Sequence, residues 1–480
     1  MSVPPARRPG DRIVRRRVRP TQVIELPEAP PSPGVPSVRQ HSKLFALGLL
    51  GIVLVASILL SLPIATRDGE ATPFVDALFT SVSAVCVVGL VTVDTATHWN
   101  AFGQVIILLL IQAGGLGFMV GASIVLRFLQ RDASGLRESL MMRDGAPTLS
   151  LREAAELSRR ITIFTFSVEG IGALILSLRF SQDMPFPRAV WHGVFHSVSG
   201  FCNAGFDLQG QFQSLQRYET SIVVNLTLIV LVFAGSLSFL FFADIAASKR
   251  WRSLALETKL IVTMSVAIAL AGTAVFLGAE WNGALSETPV WARPMVGLFQ
   301  ATAARTAGFS TIEFGGLNNF TLFVWILGMF IGGASASTAG GAKLQTVGVV
   351  AVAVMSTLRG QTEPQIYGRR IPTQLVFRAM AVIFILLVAH FAITLLLAVT
   401  EHFSPAATPS FINLFFEAMS AVAVVGLSTG ITSELTTPGK LLLSAAMIFG
   451  RLGPLTVAYA LQRRQHIVRY RFPETAVRIG

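Results

Sequence analysis

Long apolar stretches alternate with short ones along this chain. The long ones fall in pairs: 44–62 with 102–126, 161–178 with 222–243, 260–277 with 320–355, and 375–399 with 441–461. A helix rising about 1.5 Å per residue needs about twenty apolar residues to cross a hydrocarbon core about 30 Å thick, and these runs are long enough. Between the members of each pair lies a shorter apolar run, the first covering 73–86, that is followed within a few residues by a glycine. The pattern predicts eight membrane spans and four half-length segments that enter the membrane and turn back. Irregular backbone at that depth is tolerated only where protein buries it or water reaches it, so the four segments imply a central water-filled pathway.

The four short runs are versions of one another. They read LFTSVSAVCVVGL at 78–90, VFHSVSGFCNAGF at 194–206, LFQATAARTAGF at 298–309 (one residue shorter) and FFEAMSAVAVVGL at 415–427. Their glycines, Gly89, Gly205, Gly308 and Gly426, recur about every 100–120 residues, which is the signature of an internal repeat. Taken singly, each could be a tight turn with glycine as a helix C-cap. Four copies with Ser or Thr at similar offsets and the same Gly-Leu or Gly-Phe ending argue for a shared task. No acidic side chain lies in Val87, Val88, Gly89, Leu90; in Asn203, Ala204, Gly205, Phe206; in Thr306, Ala307, Gly308, Phe309; or in Val424, Val425, Gly426, Leu427. A cation held there is held by backbone carbonyls, as in filters that replace a hydration shell. Four copies in one chain would close a pseudo-fourfold ring around a pore without a tetramer.

Composition narrows the class. With 52% hydrophobic and 13% charged residues, the chain is too apolar for an ordinary soluble domain and is expected to be an all-α polytopic membrane protein. The net charge of +12 does not point to nucleic acid, because the basic residues are spread between apolar runs. They cluster between the repeats (Arg131, Arg137, Arg143, Arg152, Arg159 and Arg160; Lys249, Arg250 and Arg252; Arg359, Arg369 and Arg370) and in the C-terminal tail. By the positive-inside rule these segments and both termini face the cytoplasm and the four glycine segments open outward, across the plasma membrane. Residues 1–42, rich in Pro and Arg, have no apolar periodicity and are expected to be a disordered cytosolic arm near anionic lipid. The two cysteines, Cys86 and Cys202, each precede a repeat glycine by three residues and are expected as buried thiols.

Two features break the regular scheme. A single helix over 319–358 would be about 60 Å long, twice the hydrocarbon thickness. Its middle, 332–343, reads GGASASTAGGAK, small and poorly helical. Two helices joined by an intramembrane loop are therefore expected, with Gly332, Gly333, Ser335, Ser337, Thr338, Gly340, Gly341 and Lys343 as gate candidates below the filter. A small-residue packing face on one over-long helix is the alternative. The second feature is Arg451, inside the span 441–461. An arginine at mid-membrane costs about 2.5–3.5 kcal/mol on insertion scales and should face a partner or water. It either snorkels to the inner surface or points into the pathway, where it repels cations or holds the gate loop through its carbonyls. Asp94, Asp207 and Glu313 follow three of the filters at unequal offsets, as mouth charges or ordinary loop acids. Arg305, at the end of the third short helix, suits the helix dipole and would brace the filter from behind.

The four loop repeats, the 332–343 segment and the FGRLGP stretch at 449–454 resemble the Trk/Ktr/HKT superfamily of potassium transporters, over about residues 44–480. The resemblance is nearest to the Ktr membrane subunits, because the two extra N-terminal spans usual in the TrkH branch are not seen. It implies four M1-pore loop-M2 repeats at 43–158, 159–257, 258–373 and 374–480, K+ as the transported ion, stimulation by Na+, a homodimer, and a cytosolic ring of nucleotide-binding RCK-type regulatory subunits. Gly89 matches the potassium-selective form. This chain shows no GxGxxG after a strand and no room for βαβ units, so no organic cofactor is expected in it. Two other classes fit less well. A secondary transporter coupled to Na+ or H+ would ordinarily show two inverted repeats rather than four parallel ones. An intramembrane hydrolase would need Ser335 or Ser337 activated by His390 or His196, and no orienting acid or oxyanion signature accompanies them.

Overall fold

The computed structural model describes residues 38–133, 151–248, 250–361, 363–402 and 409–463. The chain forms two units, 1–44 and 45–480. Within the first, residues 38–44 are the opening turns of helix α1 (Val38–Ser61), and every other described element belongs to the second. The basic arm up to residue 37, Arg137 and Arg143, Lys249, and the tail from residue 464 lie outside the described residues.

The described residues are almost wholly helical. After α1 come α2 (Phe74–Cys86), α3 (Ala101–Ala133), α4 (Leu151–Phe180), α5 (Phe186–Cys202), α6 (Ile222–Ser236) and α7 (Phe239–Ala247). They are followed by α8 (Leu256–Glu280), α9 (Arg293–Ala303), α10 (Asn319–Phe330), α11 (Leu344–Leu358), α12 (Thr373–His402), α13 (Phe411–Val422) and α14 (Thr437–Arg463). One two-stranded hairpin, β1 (Gln365–Ile366) with β2 (Arg369–Arg370), joins α11 to α12. Ala101–Gly121, Ala155–Phe180, Leu256–Glu280 and Thr373–His402 are long and apolar enough to cross a membrane, and the protein is a multi-pass membrane protein.

The short helices α2, α5, α9 and α13 start where local chemistry allows. Pro73 and Pro185 precede α2 and α5, and Pro294 sits in the first turn of α9, where a missing N–H costs nothing. Ser410 caps α13 by accepting from Asn413 N. Each short helix packs against a long helix next to it in the chain and against a helix farther off: α2 against α14, α5 against α3, α9 against α6, and α13 against α10. At the junction of α2 and α14, Lys440 Nζ meets Asp76 Oδ1 at 2.8 Å.

One expectation is overturned. The run 222–243, expected as one continuous span, breaks into α6 and α7, bent by 93°. The reason is hydrogen bonding. Leu237 is extended, and Ser238 starts α7 as its N-cap, accepting from Phe241 N. The last carbonyls of α6 are satisfied from elsewhere: Gly235 O accepts from Thr338 N and Ser236 O from Ala334 N. The 319–358 stretch also breaks, into α10 and α11, and at 12 and 15 residues neither reaches across the membrane alone.

Candidate functional site

The four glycine segments follow the C-terminal ends of the four short helices and meet one another. A Cβ added to Gly89 would run into Ala204 O, one on Gly205 would lie 3.0 Å from Ala307 O, one on Gly308 2.8 Å from Val425 O, and one on Gly426 would overlap Val88 O. Every glycine thus faces the carbonyl that immediately precedes the next copy's glycine, and the fourth faces the first. A side chain at any of them would drive into backbone.

The backbone repeats the same unusual conformation four times. Gly89, Gly205, Gly308 and Gly426 have φ of +100°, +71°, +73° and +93°, and two residues earlier Val87, Asn203, Thr306 and Val424 have φ of +59°, +59°, +73° and +58°. For β-branched Val87, Thr306 and Val424 this is a strained conformation, of the kind that costs about 1–3 kcal/mol and persists only where surroundings impose it. The surroundings are visible in three copies. Val88 N, Ala204 N and Val425 N donate to Ser83 O, Ser199 O and Ser420 O. Gly89 N and Gly426 N donate to the Ser83 and Ser420 hydroxyls at 3.1 and 3.0 Å. The Ser199 hydroxyl donates instead to Phe206 O at 2.7 Å. The third copy, one residue shorter, closes with Ala307 N to Ala303 O.

The 331–343 loop lies directly beside these segments. It is pinned by Gly332 N to Ala342 O, Ala342 N to Phe330 O and Leu344 N to Gly333 O, and to the end of α6 by the bonds already described. The Thr338 hydroxyl donates to Gly235 O at 2.9 Å, and it is hydrogen-bonded to the Asn203 side-chain amide at 2.9 Å. Gly340 is tight against Ala423 O and the Val424 side chain. Ser337 donates to Ala334 O, while Ser335 N and its hydroxyl donate to Gln345 Oε1. Gly341, at φ +65°, supplies the left-handed turn before α11. Neither serine bonds to a histidine among the described residues: His196 hydrogen-bonds to the His192 carbonyl, and the His390 ring packs tilted against Phe415, 4.3 Å between centroids.

Arg451 is buried at 2% exposure and does not snorkel. Its guanidinium donates to Thr338 O and, at 3.1 Å, to Gly114 O, and lies 4.2 Å from the Phe118 ring centroid. Lys343 Nζ donates to Ala339 O and sits 5.7 Å from the same ring. Arg305 is likewise buried, 3.4 Å from the Ser265 hydroxyl and 5.5 Å from the Phe233 ring. Asp94 is a structural acid: Oδ1 accepts from Ala96 N and Thr97 N, and Oδ2 from Phe212 N, six residues past the second copy. Asp207 accepts from Gln209 N. Cys86 and Cys202 are buried and unpaired.

Comparison with known proteins decides the family. The model of the TrkH cation transport proteins matches residues 51–467. The chain belongs to the TrkH family of cation transport proteins. Curated relatives include the Ktr system potassium uptake protein B of Bacillus subtilis, 34% identical over 91% of this chain and 96% of that one. The potassium/sodium uptake protein NtpJ of Enterococcus hirae is 33% identical over 91% of this chain and 97% of its own length. The crystal structure of the potassium transporter TrkH from Vibrio parahaemolyticus shares the fold at TM-score 0.68, covering 89% of this chain and 85% of that one at 18% identity.

Within this TrkH-family chain, three site residues escape a reading of the sequence alone. Gly114, Gly235 and Gly450, on α3, α6 and α14, each abut a carbonyl four residues before a repeat glycine: Val85 O, Phe201 O and Val422 O. A Cβ at any of them would overlap that oxygen. The signal is present as a glycine inside an apolar span in three repeats, but without the short-helix register nothing tells it from an ordinary packing glycine. Phe118, under both Arg451 and Lys343, carries no signal beyond apolar periodicity.

Proposed function

We propose that this protein is the potassium-translocating subunit of a Ktr-type uptake system and conducts channel-like through the four glycine segments. The observation that carries the reading is the cyclic contact of each glycine with the carbonyl before the next. A pseudo-fourfold ring of Val88, Ala204, Ala307 and Val425 carbonyls offers a dehydrated monovalent cation oxygens in place of water, with no side-chain charge to trap it. The names of the relatives, potassium uptake and potassium/sodium uptake proteins, support K+ as cargo.

The loop 331–343 is the gate in this account. It occupies the space beside the second and fourth copies and is held by backbone bonds that can break singly, together with Arg451 on Thr338 O. The guanidinium both fastens the loop and sets a positive charge beside the route of a cation. Moving the loop away from Arg451 would clear the path. In the assembly we infer, the chain is a homodimer in the cytoplasmic membrane with both termini cytosolic, and an RCK-type ring binding nucleotide on the cytosolic side biases the gate.

The test is rubidium-86 uptake into liposomes holding the purified chain, driven by an outward K+ gradient, with K+ or Na+ as competitor and Gly89→Ser alongside. Block by K+ but not by Na+ in the parent, with K+-blocked uptake lost in Gly89→Ser, whose Cβ meets Ala204 O, is the expected outcome. Uptake in fixed stoichiometry with Na+ or H+ would replace the channel-like account by a coupled transporter.

A further inference from the structure

A cleft of about 460 Å³ opens on the face toward which the glycine segments emerge, between the first and second repeats. Its polar wall is basic. Arg67 and Arg188 line it, both exposed, and no carboxylate pairs with either among the described residues. Arg67 Nε donates to Trp99 O at 3.2 Å, which anchors the side chain while leaving its terminal nitrogens for another acceptor. His192, 5% exposed, also lines the cleft, and its Nδ1 has no hydrogen-bond partner.

The rest of the wall is fixed in place. Trp191 Nε1 donates to Gln104 Oε1 at 2.8 Å, and Gln104 Nε2 donates to Trp99 O at 3.0 Å. Trp191, Gln104 and Arg67 are thus held by other contacts, and the exposed Arg188 lines the same cleft. Val105 lines the cleft and also belongs to an exposed apolar stripe on α3, with Phe102 at 43%, Val105 at 40% and Leu109 at 63% exposure. Positions three and four apart lie on one helix face, so this stripe runs from the cleft along the lipid-facing surface. Phe186, 63% exposed, flanks the basic end two residues from Arg188.

A basic cleft that continues into an apolar lipid-facing stripe fits an anionic amphiphile. We propose that the cleft binds the phosphate headgroup of an anionic phospholipid from the leaflet on the filter-mouth side, with an acyl chain lying along Phe102, Val105 and Leu109. Arg67 and Arg188 clamp the phosphate, a geometry guanidinium suits better than ammonium. Val105 begins the track for the chain. The site does not depend on the ion that the protein carries.

The experiment uses the full-length protein in detergent, exchanged against phosphatidylglycerol or phosphatidylcholine, with retained lipid counted by native mass spectrometry. The parent is expected to retain phosphatidylglycerol in preference to phosphatidylcholine. Arg67→Ala with Arg188→Ala should lower that retention by at least about tenfold, the scale of losing a single charge-assisted contact. Arg179→Ala, which removes a side chain already paired with Asp183, should not change it. Should the double variant fail to purify as folded protein, Arg188→Gln alone, at an exposed position, makes the comparison. Equal retention of the two lipids, or undiminished phosphatidylglycerol in the variants, overturns the proposal. An arm with millimolar inorganic phosphate separates the sources: phosphate that displaces the lipid completely would make this a free-anion site and overturn it too.

Discussion

Replacing Arg451 by alanine tests the gate most sharply. The arginine is buried at 2% exposure, and among the described residues its hydrogen bond to Thr338 O is the one that reaches the 331–343 loop, whereas Gly114 O and the Phe118 ring belong to α3. A hydrogen bond from a charged donor contributes about 1.5–3 kcal/mol net. If the loop makes that bond only when closed, Arg451→Ala shifts the closed-to-open ratio roughly 10- to 150-fold toward open, at about 1.4 kcal/mol per factor of ten. Rubidium uptake by the chain alone should rise by up to that factor and level off once the open form dominates. Phe118→Leu removes the ring contact but leaves the bond to Thr338, and should raise uptake only slightly. Unchanged or lower uptake in Arg451→Ala, from protein that keeps its thermal stability and its preference for K+, would refute the reasoning. The bond would then be present in both states.

Two further substitutions address other parts of the account. Gly426→Ala places a Cβ onto Val88 O at φ +93°, so K+ uptake should fall to background while the protein still inserts and purifies; normal uptake would mean that the segments are not packed as described. Glu401→Ala removes a buried carboxyl that accepts from Thr436 N and, at 2.7 Å, from the Thr436 hydroxyl at the start of α14. Leaving those donors unpaired should cost about 2–4 kcal/mol, read as a fall of several degrees in melting temperature with ion preference unaltered, whereas an unmoved melting temperature would show that the cap is replaceable.

Much of the helical layout is legible in the sequence because the membrane imposes strong patterning. The expected short run 73–86 is α2 within one residue at its start, and the composition of 332–343 foretells the break between α10 and α11. The features that escape such a reading depend on partners remote in sequence. The bend after Ser236 arises from carbonyls satisfied by residues about 100 positions later, and 222–243 taken alone reads as one apolar helix. Left-handed valines at 87 and 424 run against what valine prefers, so propensity reasoning would place them anywhere else. Arg451 is conspicuous as a charge in an apolar run, yet the choice between snorkelling and an internal bond needs the position of Thr338.

The ring of carbonyls is the central claim, and a crystal of the full chain grown with Rb+ tests it through anomalous scattering. The account predicts a peak on the axis between the carbonyls of Val88, Ala204, Ala307 and Val425. An ordered ring with no peak there, or a peak held by side chains elsewhere, would contradict it.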